Sequence, residues 1–319
     1  MAGRVTQKGD TIYLNIGQRW FQYNESSLLG SGAMGTVYKG YDCNSGEPVA
    51  IKRVMDRYAN NPEIRRRAHQ EAELMFRHPN LVEMLGCCEI APNRGPIFIV
   101  SNFVQGENID QFINNHVRSL PHVEKRICEL FFPVLDALSY IHQKGIIHMD
   151  IKPSNIMMEQ GKNVRLMDLG IADVTDTVNT ATSGMMGTPK YAAPEQFSDA
   201  EKKPQLTAAT DIYEAGVTLY ELLTMHNPFN ASTVMEAKEL HQELLLEKKP
   251  MMSEAVYQVI RKATAISPSD RYQNANQMKM ALKEALAAPP PSSNKLLYLI
   301  LGGLGVVIIV VLLIFLFIR

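Results

Sequence analysis

The chain has 319 residues, enough for one large two-lobed domain, or two small ones, plus tails. Its 32 lysines and arginines against 33 aspartates and glutamates leave a formal charge of -1, which excludes the bulk basic signal of a nucleic-acid binder. The four cysteines, Cys43, Cys87, Cys88 and Cys128, make no C-x-x-C metal pair and read as small buried thiols in a reducing compartment.

Met1 to Asp10 is polar, without the apolar core of a signal peptide. Thr11 to Ile16 alternates apolar and polar residues, Gly17-Gln18 permits a turn, and Arg19 to Tyr23 resumes an aromatic-rich run. That pattern predicts a hairpin in an N-terminal extension, residues 1–22, that carries no catalytic residue. Next comes Leu29-Gly30-Ser31-Gly32-Ala33-Met34-Gly35-Thr36-Val37-Tyr38, a G-x-G-x-x-G-x-V run. In a dinucleotide fold a helix follows such glycines; here β-branched and aromatic residues follow, so the glycines sit at a hairpin tip. Their missing Cβ atoms let backbone amides approach phosphate oxygens.

Val49-Ala50-Ile51-Lys52 is a strand closed by a lysine, a solvated edge residue if taken alone. A helix is predicted from Ile64 to Phe76, and its Arg65-Arg66-Arg67 run is either a solvated face or a contact to anionic lipid. Leu81 to Ile90 and Pro96 to Val104 read as strands, and after Gly106 the pattern turns helical. A helix begins at Pro121-His122-Val123-Glu124 and runs through Phe131, Leu135 and Leu138 to Ile141. It leads into the polar run His148-Met149-Asp150-Ile151-Lys152-Pro153-Ser154-Asn155. Ile156 to Met158 and Val164 to Met167 form a hairpin closing on Gly161-Lys162-Asn163, and Asp168-Leu169-Gly170 follows it. Two carboxylates, a lysine and an amide thus fall in loops braced by packed elements, where chemistry is usually placed.

The C-terminus differs in kind. Pro289 to Asn294 is a Pro/Ser linker (288–295), and Leu296 to Ile318 holds 23 residues without a charge. As a helix that segment spans about 34 Å, against a hydrocarbon core of about 30 Å, so a transmembrane helix over 296–318 is expected. Gly302, Gly303 and Gly305 lack GxxxG spacing, which leaves only weak self-association through them.

In order and spacing, these motifs resemble the eukaryotic-like serine/threonine protein kinases, with Ala33 to Tyr38 and Ala193-Pro194-Glu195-Gln196 closer to their bacterial branch. The resemblance covers about residues 23 to 287. It implies an α+β, bilobal fold: a small antiparallel β-rich N-lobe with one main helix and hinge (23–104), and a larger, mainly helical C-lobe (105–287). It further implies an ATP-dependent kinase of protein serine and threonine hydroxyls, using Mg²⁺ with Mn²⁺ as the alternative ion. The lipid bilayer would be its partner through 296–318, with no nucleic acid, and the kinase domain would be cytoplasmic, where ATP is. Lys279, Lys283 and Lys295 on that side against Arg319 beyond agree with the positive-inside tendency.

By resemblance, Asp150 aims or deprotonates the substrate hydroxyl, Lys152 neutralises charge on the γ-phosphate, and Asn155 and Asp168 hold the metal. Lys52 orients the α- and β-phosphates, braced by Glu71, with Glu73 as the alternative. Leu29, Gly30, Ser31, Gly32, Ala33, Met34, Gly35, Thr36 and Val37 form the flap over the nucleotide. Val37, Ala50 and Met157 line the adenine slot; Asn102, Phe103 and Val104 form the hinge, behind the gatekeeper Ser101. Gly187-Thr188-Pro189-Lys190-Tyr191-Ala192-Ala193-Pro194-Glu195 ends the activation loop. Asp211 buttresses the catalytic loop, and Arg271 pairs with Glu195.

One position departs from the family. Met149 stands where an arginine usually binds a phosphate on the activation loop, and methionine cannot do so. Transfer chemistry is expected to survive, with loop phosphorylation at Thr175, Thr177, Thr180, Thr182 or Ser183 not acting as the on-switch through that contact. A pseudokinase scaffold at the membrane is the alternative, and Met149 is its only support.

Overall fold

Alternating burial shapes the first half of the protein. Leu14, Phe21, Tyr23, Val49, Ile51, Phe98 and Val100 are buried in one cluster, each set apart along its strand by less buried or oppositely facing neighbours. The computed structural model describes residues 5–31, 35–54, 65, 69, 76–91, 94–168, 188–197 and 206–287. Its first strands are β1 (Val5–Lys8), β2 (Thr11–Ile16), β3 (Arg19–Ser31), β4 (Gly35–Asp42), β5 (Pro48–Val54), β6 (Met84–Ala91) and β7 (Arg94–Asn102). They form a seven-stranded antiparallel sheet in the order β1-β2-β3-β4-β5-β7-β6.

The sheet curls until β1 and β2 touch β6 at its far edge. Contact is close enough that Gly86, at φ 132, has no room for a Cβ, which would overlap the Ile16 side chain. Val5, Ile16 and Leu85 pack on the same cluster, so the first hairpins share the core of this lobe. β1 carries no apolar period, being an edge strand with largely exposed side chains, and the sequence gives no sign of it. Period two has a second consequence. Val49 and Ile51 face the core, which turns Ala50 and Lys52 to the other side of β5.

The second half is helical. After β8 (Gly106–Asn108) come α1 (Ile109–Phe112), continued by a π-helical turn (Ile113–Val117), and α2 (Val123–His142). β9 (Ile156–Glu159) and β10 (Asn163–Leu166) follow, then α3 (Ala208–Thr224), α4 (Val234–Glu243), α5 (Glu254–Ala263) and α6 (Ala275–Ala287). The expected hairpin is β9–β10, its turn placed at Gln160 to Lys162 with Asn163 already in the strand. Where the chain was expected to turn helical after Gly106, it first makes β8, because β9 offers a free edge. Phe131, Leu135, Leu138 and Ile141 of α2 pack with α3, α5 and α6 in one core. α3, N-capped by Thr207, is buried on almost every side. Glu71, Gly32 to Met34, and residues 169–187 and 288–319 lie outside the described residues. Among the described residues, no helix is long and apolar enough to cross a membrane.

Candidate active site

An apolar helix with a polar stripe positions the site. On α3, Asp211, Glu214 and Thr218 stand at i, i+3 and i+7, so they share one face, and all three are buried. Asp211 accepts the main-chain N–H groups of His148 and Met149, each at 2.8 Å, and lies 2.7 Å from His142 Nε2. Glu214 accepts the N–H of Ile151 at 2.8 Å, and the Thr218 hydroxyl donates to the carbonyl of Ile151 at 2.8 Å. His148 Nε2 reaches the carbonyl of Met167 at 2.9 Å. These bonds over-determine the loop and hold Met149 at φ 62, a conformation that costs a non-glycine residue energy.

On this frame Asp150 sits buried among donors. Lys152 Nζ approaches its two carboxylate oxygens at 3.0 and 2.7 Å, the Thr188 hydroxyl donates to Oδ1 at 2.5 Å, and Asn155 Nδ2 donates to Oδ2 at 2.8 Å. Lys152 also donates to the Thr188 hydroxyl at 2.7 Å. Burial opposes ionisation of Asp150, but the Lys152 ammonium and the Lys152 and Thr188 hydrogen bonds outweigh it and hold the carboxyl below its ordinary range.

Beside this group lies a cavity of about 420 Å³, lined by Leu29, Gly30, Val37, Ala50, Lys52, Val104 and Met157 among others. Ser101, Asn102, Phe103 and Asp168 also line it, as does Ser154 of the polar run. Lys52 Nζ is 3.4 Å from Asp168 Oδ1, and the Asp168 carboxylate is half-exposed, at φ 52. The carbonyl of Asn155 accepts the N–H of Met167 at 2.9 Å, which joins the Asp150 group to the residue before Asp168. Where β7 ends, the N–H of Asn102 is taken by the Glu83 carbonyl at 3.0 Å. Ser31, Gly35 and Thr36 do not line the cavity. Gly35 instead packs against the Arg53 carbonyl, which a Cβ would strike, so β4–β5 pairing alone requires a glycine there.

The segment beyond Thr188 is fastened to the helical core. Glu195 accepts two bonds from the Arg271 guanidinium, each at 2.8 Å, and Arg271 is buried. The carbonyl of Pro189 lies 2.8 Å from Nε2 of His241, whose Nδ1 is 2.8 Å from the Tyr213 hydroxyl. Burial pushes the His241 imidazole down to about 4 from its usual 6.5. The folded state therefore favours neutral His241, and its contribution is complete above pH 6.5 and lost as pH falls towards 4. We expect the stability difference between the protein and its His241→Gln variant, measured by urea unfolding, to shrink across that window by on the order of 3 kcal/mol. A pH-independent difference would contradict this assignment.

Sequence reasoning did not single out Glu214 or Thr218, or the tie of Thr188 to Asp150. The first two carry a signal, since polar residues at helical spacing inside an otherwise apolar run need buried partners. Residues 23–284 match the family model described as "Protein kinase domain". A probable serine/threonine-protein kinase of Streptomyces coelicolor is 30% identical over 275 residues, covering 83% of this chain and 40% of the relative. The serine/threonine-protein kinase PrkC of Bacillus subtilis is 31% identical, covering 84% of this chain and 41% of its own length. The chain thus spans about two fifths of these relatives. The crystal structure of the Mycobacterium tuberculosis PknI kinase domain superposes with a TM-score of 0.63 at 23% identity, over 83% of this chain and 96% of that one, which is a likeness of fold.

Proposed function

This chain belongs to the protein kinase family, and from that premise we propose that it transfers the γ-phosphoryl group of ATP to serine or threonine hydroxyls of proteins, tethered to a membrane by residues 296–318. One observation carries the transfer reading: Asp150, Lys152 and Asn155 form a single hydrogen-bonded group whose backbone is joined to the cavity that holds Lys52 and Asp168. Phosphoryl transfer needs positioning and charge stabilisation more than covalent chemistry, and this arrangement supplies both.

Asp150 Oδ1 already accepts a hydroxyl, that of Thr188, which is the bond a substrate serine or threonine would make before losing its proton. Lys152, on the same carboxylate, is placed to neutralise charge gathering on the transferred group. Lys52 orients the phosphates, and the apolar slot from Val37 and Ala50 to Met157 takes the adenine ring. Asn155 turns its Nδ2 to Asp150, so its carbonyl oxygen and the half-exposed Asp168 carboxylate are hard donors that suit Mg²⁺. The ion, when bound, supplies charge neutralisation on the phosphate oxygens. Lys52, Asp150, Asn155 and Asp168 are all present, and the pseudokinase alternative is not supported.

Purified full-length chain with γ-labelled ATP and a generic basic protein is expected to give labelled phosphoserine or phosphothreonine, lost in Lys52→Met. No label from the unaltered chain would overturn the reading. Tethering rests on the uncharged run 296–318 behind its Pro/Ser linker. It predicts that the chain sediments with membranes and is released when residues 289–319 are removed.

Met149 is fixed by its main chain to Asp211 and offers no cation to a phosphate. A chain with alanine at Thr175, Thr177, Thr180, Thr182 and Ser183 is accordingly expected to keep most of its activity. Abolished activity, restored by acidic residues at those positions, would show that loop phosphorylation is the switch after all.

A further inference from the structure

Four side chains, Cys87 and Glu89 on β6 with Arg65 and His69 beside them, form a relay that phosphoryl transfer does not use. Strand parity sends Cys88 into the barrel core and Cys87 to the opposite face. There Cys87 Sγ lies 3.3 Å from His69 Nδ1, and His69 Nε2 lies 2.8 Å from Glu89 Oε1. Arg65 Nη1 is 2.6 Å from the same Glu89 oxygen, and Arg65 Nη2 donates to the Gly95 carbonyl at 2.6 Å. Arg65 and Glu89 are buried, His69 is half-exposed and Cys87 partly exposed.

The carboxylate fixes the tautomer. An ionised Glu89 only accepts, so His69 Nε2 carries the proton and Nδ1 turns a lone pair to the thiol. A nucleophile, a base in hydrogen-bond reach and a group that orients the base are the parts of an activated thiol. The other three cysteines are built the opposite way. Burial pushes the Cys88 thiol up to about 12 and raises that of Cys128, and burial with the Asp42 carboxylate raises that of Cys43.

We propose that Cys87 is a redox modification site, a thiol that hydrogen peroxide converts to a sulfenic acid with His69 as proton acceptor. The thiol proton passes to His69 Nδ1. The thiolate sulfur attacks one peroxide oxygen, an S–O bond forms as the O–O bond breaks, and the departing hydroxide takes the proton from His69 and leaves as water. Sulfur is oxidised by two electrons and peroxide is reduced by two. Cys88 faces the other side of the strand and cannot resolve the product, which persists until an external thiol arrives. Arg65 and His69 precede Glu71 by six and two residues, so the modified thiol contacts a residue close in sequence to the one expected to brace Lys52.

The test treats the full chain in detergent with hydrogen peroxide, traps sulfenic acid with dimedone and reads each cysteine by peptide mass spectrometry. Cys43 is the more exposed thiol, so access alone predicts that it reacts first. The relay predicts the reverse, with Cys87 labelled roughly tenfold faster than Cys43. It also predicts that His69→Gln removes that advantage while the Cys43 rate stays the same. Cys87 labelled no faster than Cys43, or a Cys87 rate indifferent to His69→Gln, overturns the proposal. Should His69→Gln disturb the fold, seen as a changed Cys43 rate, the ratio in the unaltered chain decides alone.

Discussion

Asp150→Asn is expected to lower kcat by about 10²- to 10⁴-fold, the range for removing a positioned general base, with little change in KM for ATP. The proposed nucleotide contacts, Lys52, residues 102–104 and the apolar slot, line the cavity, and Asp150 is not among its lining residues. A second, smaller effect follows from the hydrogen bonds. Both carboxylate oxygens accept from donors: Oδ1 from Lys152 and Thr188, Oδ2 from Lys152 and Asn155. Whichever way an asparagine amide is turned, its NH₂ group meets another donor, a conflict of roughly 1–3 kcal/mol. Steady-state kinetics beside thermal unfolding separates the two effects. A variant that unfolds somewhat earlier yet retains kcat within about tenfold would remove Asp150 from the chemistry.

The second large effect is on stability. Arg271→Ala is expected to destabilise the kinase domain by about 3–5 kcal/mol, because it leaves the mostly buried Glu195 carboxylate without its cation, with only the Thr210 hydroxyl still donating to it. For a domain of this size that lowers Tm by on the order of 10 °C. Arg271 also donates to the carbonyls of Ala209, Ala265 and Ile266, so its loss removes a donor from three further main-chain groups. Glu195→Gln retains those three bonds and keeps an acceptor for the guanidinium, and is expected to cost clearly less. Equal effects from the two variants, or an Arg271→Ala shift below about 1 kcal/mol, would mean that the pair contributes little beyond packing. The depressed Asp150 carboxyl adds a pH signature of the usual acid kind: its contribution is present at neutral pH and lost as pH falls through its folded value.

Much of the site was legible because its residues are close in the chain. Asp150, Lys152 and Asn155 fall within six positions, and a loop that short between packed elements brings them together under almost any tertiary arrangement. Lys52 was legible only through the resemblance, as the lysine closing a strand after the glycine flap; the alternating burial along β5 then places it and Ala50 opposite the core. Other features depended on partners far along the chain. β8 forms only because β9 has an edge to pair with, and β1 only because β2 does. Thr188 donates to Asp150 across 38 positions, and no local pattern marks that pairing.

What the amino-acid order settles alone is periodicity: which residues share a strand face or a helix stripe, where a glycine is required, and which polar groups crowd into one loop. Curling of the sheet until β2 meets β6, the 3.4 Å approach of Lys52 to Asp168, and the hanging of the loop at His148 to Ile151 from Asp211, Glu214 and Thr218 were decided only by tertiary packing. The reason is physical. Periodicity is written into backbone geometry at a range of a few residues, whereas these contacts join atoms tens of positions apart, and their register depends on how whole lobes bury their apolar faces.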